Sequence, residues 1–229
     1  DHKRVVVTNS TGILAPFLVE TVLGAMLILN GNFIKYAEQQ KNHVWLPHHF
    51  TPLCEKVLLV IGLGTIGSLI AQKAQSLGMR VIGTRRHPAP NPFVDEVYAD
   101  NELPKLIGQA DFVSLHVRMS EKNMNLINKN ILSAMKIGSF LINTARGSVV
   151  DENALLDSLN NGPLAGAYLD VFENEPLPKD NDLWNHPNVI ITPHAADNIK
   201  DWPVRFADFF MDNLLRWNNN DNLLNEITP

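Results

Sequence analysis

Three side chains of complementary chemistry stand just past strand-like runs in the second half of this chain. Arg146 follows Ser139–Asn143, within Thr144-Ala145-Arg146-Gly147. Glu175 follows Gly166–Asp170, within Val171-Phe172-Glu173-Asn174-Glu175-Pro176. His194 follows Val189–Ile191, within Thr192-Pro193-His194. A guanidinium offers a planar fork matched to carboxylate or phosphate. An imidazole gives or takes a proton near neutral pH, and a carboxylate beside it favours the charged form and orients the ring. Chemistry that needs an anion clamp, an acid/base and a tuner would draw on these three types. Each also has a plainer reading. Arg146 could pair on the surface, Glu175 could be a solvated loop acid, and His194 could be a satisfied loop histidine. Their delivery by three strands to one edge favours chemistry.

Those strands imply a frame. The strongest sign of it is Val57-Leu58-Leu59-Val60-Ile61 running into Gly62-Leu63-Gly64-Thr65-Ile66-Gly67, with a helical segment from Ser68 to Leu77 behind. Strand, G-x-G-x-x-G and helix in that order are the context of a dinucleotide fingerprint. Gly62 allows the tight turn, Gly64 lets backbone approach a pyrophosphate, and Gly67 lets helix pack on strand. The phosphates then meet free N–H groups at a helix N-terminus. Roughly 20 positions beyond the glycines, where an NAD site places an acid, this chain has Arg85-Arg86. A guanidinium there suits a 2′-phosphate, so the expected cofactor is NADP, with NAD possible. The plainer reading is a solvated arginine pair at a strand end.

The rest of the chain reads as strand and helix in alternation, which predicts an α/β doubly wound parallel sheet. Strands are expected at Val5–Thr8, Lys56–Gly62, Arg80–Thr84, Val97–Tyr98, Phe112–His116, Ser139–Asn143, Gly166–Asp170 and Val189–Ile191. Helices are expected at Phe17–Glu38, Thr65–Leu77, Glu102–Gln109, Lys129–Met135, Glu152–Asn160 and, amphipathic and long, Asp201–Trp217. Trp202, Met211 and Trp217 of that last helix read as packing residues. Arg4, Arg205 and Arg216 read as solvated.

Composition sets the outer bounds. A chain of 229 residues with 45% hydrophobic content can bury a sizeable core. A net charge of −5 with scattered basic residues argues against nucleic acid as a partner. A single cysteine, Cys54, leaves no internal disulfide, suits a reducing cytoplasm and reads as a small apolar filler. The apolar run Gly12–Leu29 is interrupted by Pro16, Glu20 and Thr21, so a buried helix is expected rather than a membrane span. No metal-ligating cluster stands out. The opening Asp1-His2-Lys3-Arg4 carries no initiator methionine and reads as a chain entered midway.

Taken together, these motifs resemble the D-isomer-specific 2-hydroxyacid dehydrogenase family. The resemblance rests on Gly62-Leu-Gly-Thr-Ile-Gly67, Ile142-Asn-Thr-Ala-Arg-Gly147 with Val150-Asp-Glu152, Leu169-Asp-Val-Phe-Glu-Asn-Glu-Pro176 and Thr192-Pro-His194. Val7-Thr-Asn-Ser-Thr-Gly12 with Glu20 resembles the family's hinge segment. Asn213-Leu-Leu-Arg-Trp217 with Leu223-Leu-Asn225 resembles its closing element. The resemblance implies that Arg146 binds substrate, that His194 is the acid/base and that Glu175 is its partner. It places Asp170 on the family's cofactor-contacting aspartate. The expected cofactor set is Gly62, Gly64, Thr65, Ile66, Gly67, Arg85, Arg86, His116, Thr144, Ala145, Asp170 and Ala196.

The implied activity is reduction of a small-molecule 2-keto acid to a D-2-hydroxy acid. Catalysis would lie between two domains of a homodimer whose interface includes Gly12–Leu46. Residues 1–46 are expected to form a hinge and dimerisation region, 47–197 the dinucleotide-binding domain, and 198–229 a closing helix and tail. The family carries most of its substrate domain before Val5, and that portion is absent from this sequence. Arg118 stands where the family has proline. The rival readings are a nucleotide-sensing, corepressor-like protein on the same scaffold, or an inactive fragment. Formate dehydrogenase is a nearer rival, but it has glutamine where Glu175 stands.

Overall fold

The computed structural model of the protein describes residues 5–227. Its centre is a seven-stranded, all-parallel sheet in the order β3-β2-β1-β4-β5-β6-β7. The strands are β1 (Val57–Ile61), β2 (Arg80–Thr84), β3 (Glu96–Tyr98), β4 (Phe112–Leu115), β5 (Ser139–Asn143), β6 (Leu164–Leu169) and β7 (Val189–Ile191). Strand order reverses between β1 and β4, which opens a crevice beyond their carboxyl ends. The helices are α1 (Ala15–Asn30), α2 (Phe33–Lys41), α3 (Thr65–Ser76), α4 (Leu103–Leu106), α5 (Lys129–Ser133), α6 (Glu152–Asn161) and α7 (Trp202–Asn219).

The expected doubly wound sheet is present, and its strands are apolar on both faces because both are covered. Along β1, Leu59 and Ile61 enter one core with Leu132, Leu141, Leu155 and Leu169. Leu58 and Val60 enter the other, with Val22 and Met26 of α1 and Ile70 and Ala74 of α3. Alternation along one strand thus ties the two layers together.

Several boundaries differ from those expected. Val5–Thr8 is not a sheet strand; Thr8 forms one antiparallel bridge with Glu226, flanked by backbone bonds from Ile227 to Val7 and from Asn9 to Asn225. The long helix expected over Phe17–Glu38 is two helices bent by 63°. The break is Asn30-Gly31-Asn32, where Asn32 takes a φ of +58°, a left-handed value that asparagine tolerates. The segment Glu102–Gln109 folds as α4 flanked by tight 3₁₀ turns. Cys54 is exposed rather than filling the core, because the adjoining Leu53 takes the buried position. Trp202, Met211 and Trp217 are each about half exposed, since within α7 only Asn213 is buried, bonded to both backbone groups of Leu224. Arg205 pairs with Asp201 and covers the Phe17 ring, and Arg216 pairs with Asp212. Arg4, with the rest of the first four residues, lies outside the described residues. Among the described residues no single helix is long and apolar enough to cross a membrane.

Candidate active site

The glycine turn is built as its sequence suggests. Gly62 has a φ of +101°, and a Cβ there would lie 2.6 Å from the His116 carbonyl oxygen, so the end of β4 passes directly against the turn. A Cβ on Gly67 would overlap the Gly62 carbonyl, which keeps α3 tight on β1. At Gly64 nothing lies within 4 Å of the same position, so the turn faces open space. No side chain caps the N-terminus of α3. Free first-turn N–H groups beside an open glycine are what a pyrophosphate needs. The N–H groups of Gly62 and Leu63 both donate to the Thr84 carbonyl, which sets the end of β2 beside the turn. Arg85 and Arg86 come next, the first half-buried and the second exposed. A dinucleotide fits the residues present.

A cleft of about 800 Å³ runs from this turn across the carboxyl ends of β4 and β5. Thr65, Ile66, His116, Thr144, Ala145 and Arg146 line it. The Thr144 hydroxyl is buried and has no hydrogen-bond partner among the described residues, a polar group available to something bound in the cleft. His116 bonds Ser114 Oγ through Nε2 at 2.7 Å, and desolvation pushes its pKa down to about 3. Its ring is therefore neutral at any physiological pH.

Arg146 sits on a loop shaped by buried Asn143. The Asn143 side chain accepts from Ala145 N–H at 3.0 Å and donates to the Arg146 carbonyl at 3.0 Å. Gly147 follows because its loop crosses the one that carries Glu175. A Cβ there would overlap the Phe172 carbonyl carbon. Asp151 caps α6 through the Ala154 N–H, and Glu152 accepts from Glu173 N–H at 2.6 Å, joining the same two loops.

His194 Nδ1 lies 2.8 Å from Glu175 Oε2, while Glu175 Oε1 accepts from the Phe172 N–H at 3.0 Å. Burial alone would raise the Glu175 carboxyl. The hydrogen bonds from His194 and Phe172, with the charges of His194 and Arg146, outweigh it and hold the pKa below the usual range. The Arg146 charge is the last of these influences: Arg146 lines the cleft at the glycine turn, while Glu175 and His194 line a separate hollow with Phe172, Pro176 and Trp184. His194 itself has a φ of +51°, a strained value for a side chain of this size.

The loop around His194 is held by residues that were legible only as parts of motifs. Asp170, 2% exposed, accepts from the Ala195 N–H at 2.8 Å, the Ala196 N–H at 3.1 Å and the Thr192 hydroxyl at 2.5 Å. From the opposite side, Thr21 of α1 donates to the Ala196 carbonyl at 2.7 Å. Asp170 and Ala196 are buried, and the Asp170 oxygens serve the loop. Nothing local in the sequence marks Thr21, which lies 175 positions from its partner.

A parallel sheet with a glycine turn, an open helix N-terminus and an arginine, histidine and glutamate across the crevice defines a dinucleotide-binding oxidoreductase domain. The profile of "D-isomer specific 2-hydroxyacid dehydrogenase, NAD binding domain" matches residues 23–196. Glyoxylate reductase of Korarchaeum cryptofilum is 32% identical over 236 aligned positions, covering 98% of this chain and 70% of that protein. Glyoxylate/hydroxypyruvate reductase B of Klebsiella pneumoniae is 34% identical over 93% of this chain and 68% of its own length. The crystal structure of a D-isomer-specific 2-hydroxyacid dehydrogenase from Xanthobacter autotrophicus, in complex with NADPH, superposes with a TM-score of 0.87 at 30% identity. It covers 100% of this chain and 94% of that one. The chain belongs to the D-isomer-specific 2-hydroxyacid dehydrogenase family, and with it to the NAD(P)-dependent oxidoreductases.

Proposed function

We propose that the protein reduces a 2-keto acid to the D-2-hydroxy acid with NADPH, with Arg146, His194 and Glu175 as its working residues. The observation that carries this reading is the 2.8 Å His194–Glu175 contact, placed within the electrostatic reach of Arg146 at the carboxyl edge of the sheet. When bound, the reduced nicotinamide supplies hydride to the carbonyl carbon. Arg146 holds the substrate carboxylate with its fork and polarises the keto oxygen. Glu175 occupies Nδ1 of His194, which leaves Nε2 to give the proton that the developing alkoxide takes up. In the oxidative direction the neutral ring takes that proton back. Arg85 and Arg86 stand at the end of β2 where a 2′-phosphate would lie. This position and the NADPH in the Xanthobacter relative both support NADP as the cofactor.

Residues 47–197 act as the cofactor domain in this reading, residues 1–46 as hinge and interface, and 198–229 as the closing element. A homodimer is supported by the segment after α2. Its Trp45 is fully exposed and its Leu46 and Phe50 are more than half exposed, as is Phe33 at the start of α2. Tyr36 pins that segment through both backbone groups of His48. The free Cys54 suits a reducing cytoplasm.

The pH profile of Glu175→Gln tests the assignment. Reduction needs the protonated ring, so kcat/KM for reduction holds at acid to neutral pH and falls on the alkaline side; oxidation shows the opposite limb. Glu175 is the carboxylate that holds the His194 ring, so replacing it with an uncharged amide should alter both limbs. Limbs that stay in place, or a protein with no keto-acid-dependent turnover at all, would refute the reading and return the scaffold to nucleotide sensing.

A further inference from the structure

The cleft holds a second guanidinium for which the proposed reaction has no use. Arg118 lies three residues past the end of β4 and lines the same cleft of about 800 Å³ as Arg146. β4 is the neighbour of both β1, which ends at the glycine turn, and β5, which ends before Arg146. The exposed Arg118 therefore leaves the sheet between the strand that ends at the glycine turn and the strand that leads to Arg146. Among the described residues no carboxylate pairs with it, and Asp197 is the one acidic residue that lines the cleft.

The loop that carries Arg118 is tied to the loop that carries Arg146. Asn123 Nδ2 donates to the Arg118 carbonyl at 2.7 Å. The Ser148 hydroxyl meets Met119 Sδ at 3.1 Å, and the Asn125 N–H donates to the Ser148 carbonyl at 2.9 Å. The Ile127 N–H donates to the Val149 carbonyl at 3.0 Å. Ser148 and Val149 are two and three residues beyond Arg146. These bonds fix one guanidinium-bearing loop relative to the other, as a two-point anion site requires.

A keto acid with a single carboxylate satisfies Arg146 alone, and the pyrophosphate has the free N–H groups of α3. A second cation in the same open cleft is unexplained by either. Desolvating it against an apolar substrate side chain would cost free energy; placing it against a second anionic group would recover that cost. We propose that Arg118 is a specificity-determining residue, and that the cleft selects 2-keto acids whose side chain carries a second negative group, a carboxylate or a phosphate. The proposal rests on the reductase reading above.

The test compares a monoanionic keto acid, pyruvate, with the dianions oxaloacetate and 2-oxoglutarate, in the unmodified protein, Arg118→Ala and Arg118→Lys. NADPH affinity is measured by fluorescence titration in each. Arg118→Ala should raise KM for the preferred dianion about tenfold or more, as loss of a charge-assisted pair does. KM for pyruvate and the NADPH affinity should change less than about twofold, and Arg118→Lys should fall between, keeping charge without the fork. Equal effects on monoanion and dianion, or no effect on either, would overturn the proposal. So would a loss confined to NADPH affinity, which would assign Arg118 to the cofactor's phosphates. Turnover of pyruvate in Arg118→Ala shows that the reductase reading stands whichever way the selectivity falls. Should no keto acid be reduced, thermal unfolding decides the anion site separately. Protection of the unmodified protein by oxaloacetate but not by pyruvate, lost in Arg118→Ala, supports it; equal protection by both, or by neither, overturns it.

Discussion

Asp170→Asn is the perturbation that isolates how the His194 loop is held. The wild-type carboxylate is 2% exposed and receives three donors, two from backbone and one from Thr192. Asparagine has nearly the same shape but one acceptor and one donor. In its better orientation the amide oxygen keeps Ala195 and Thr192, and its NH₂ group is turned against the Ala196 N–H. One bond is lost outright, and two fall from charge-assisted to neutral strength. Bonds to charged groups contribute about 1.5–3 kcal/mol and neutral ones about 0.5–1.5 kcal/mol. Relief of burying a charge offsets part of the loss. The expected net destabilisation is about 2–3 kcal/mol, read from urea unfolding, or a fall in Tm of roughly 4–10 °C for a chain of this size. His194 holds a φ of +51° that costs about 1–3 kcal/mol, and a loosened loop would relax it. The kcat should therefore fall together with stability, while NADPH affinity moves little. Stability within about 0.5 kcal/mol of wild type with an unchanged kcat would refute the reasoning, because the loop would then be held by its backbone bonds and Thr21 alone.

Arg146→Lys should lower kcat/KM for keto-acid reduction by about 2–4 kcal/mol of transition-state stabilisation, with cofactor affinity nearly unchanged, because a point charge cannot reproduce the fork. Near-normal turnover would show that Arg146 is structural. Arg85→Asp should move preference from NADPH toward NADH, by about tenfold or more in the ratio of dissociation constants, since it replaces a phosphate-binding fork with an acid that accepts from ribose hydroxyls. Binding of NADH equal to or better than that of NADPH by the unmodified protein would sink this expectation.

The parallel sheet and its order of elements were legible because buried parallel strands and their turns have local signatures. Lys56–Gly62 and Ser139–Asn143 are short apolar runs closed by glycine, asparagine or threonine, and they fall within a residue of β1 and β5. What failed was local pattern without a local cause. Val5-Val6-Val7 has strand composition, but among the described residues it pairs with no sheet strand: Thr8 bridges Glu226, and Val5 and Val6 lie beside α7. The helix expected over Phe17–Glu38 extends the apolar run Gly12–Leu29 past Asn30-Gly31-Asn32, yet the chain turns there, with Asn32 at a left-handed φ. The site divided in the same way. Arg146, Glu175 and His194 were visible as strand-end residues. The contacts that fix them are long-range: Gly147 against Phe172, Thr21 on Ala196, Glu152 on Glu173. No spacing rule within one segment reports these.

The two histidines at strand ends make the limit concrete. His116 closes one strand-like run and His194 stands three residues past another, Val189–Ile191, which puts both at the ligand edge. Their chemistry then diverges through surroundings alone. His116 is desolvated against a hydroxyl, Ser114 Oγ, with no carboxylate among the described residues paired to it, and its pKa falls to about 3. It can donate or accept one hydrogen bond in the cleft, but it cannot cycle a proton near neutral pH. His194 is about half exposed, with a carboxylate held ionised at 2.8 Å and no partner for its second nitrogen among the described residues. It can cycle a proton. In the proposed reaction the proton step therefore falls to the His194–Glu175 pair. His116, placed by its backbone beside Gly62, serves the shape and polarity of the cofactor cleft. Residue type and strand-end position nominate both; only the partner atom at the ring nitrogen separates a structural imidazole from an acid/base.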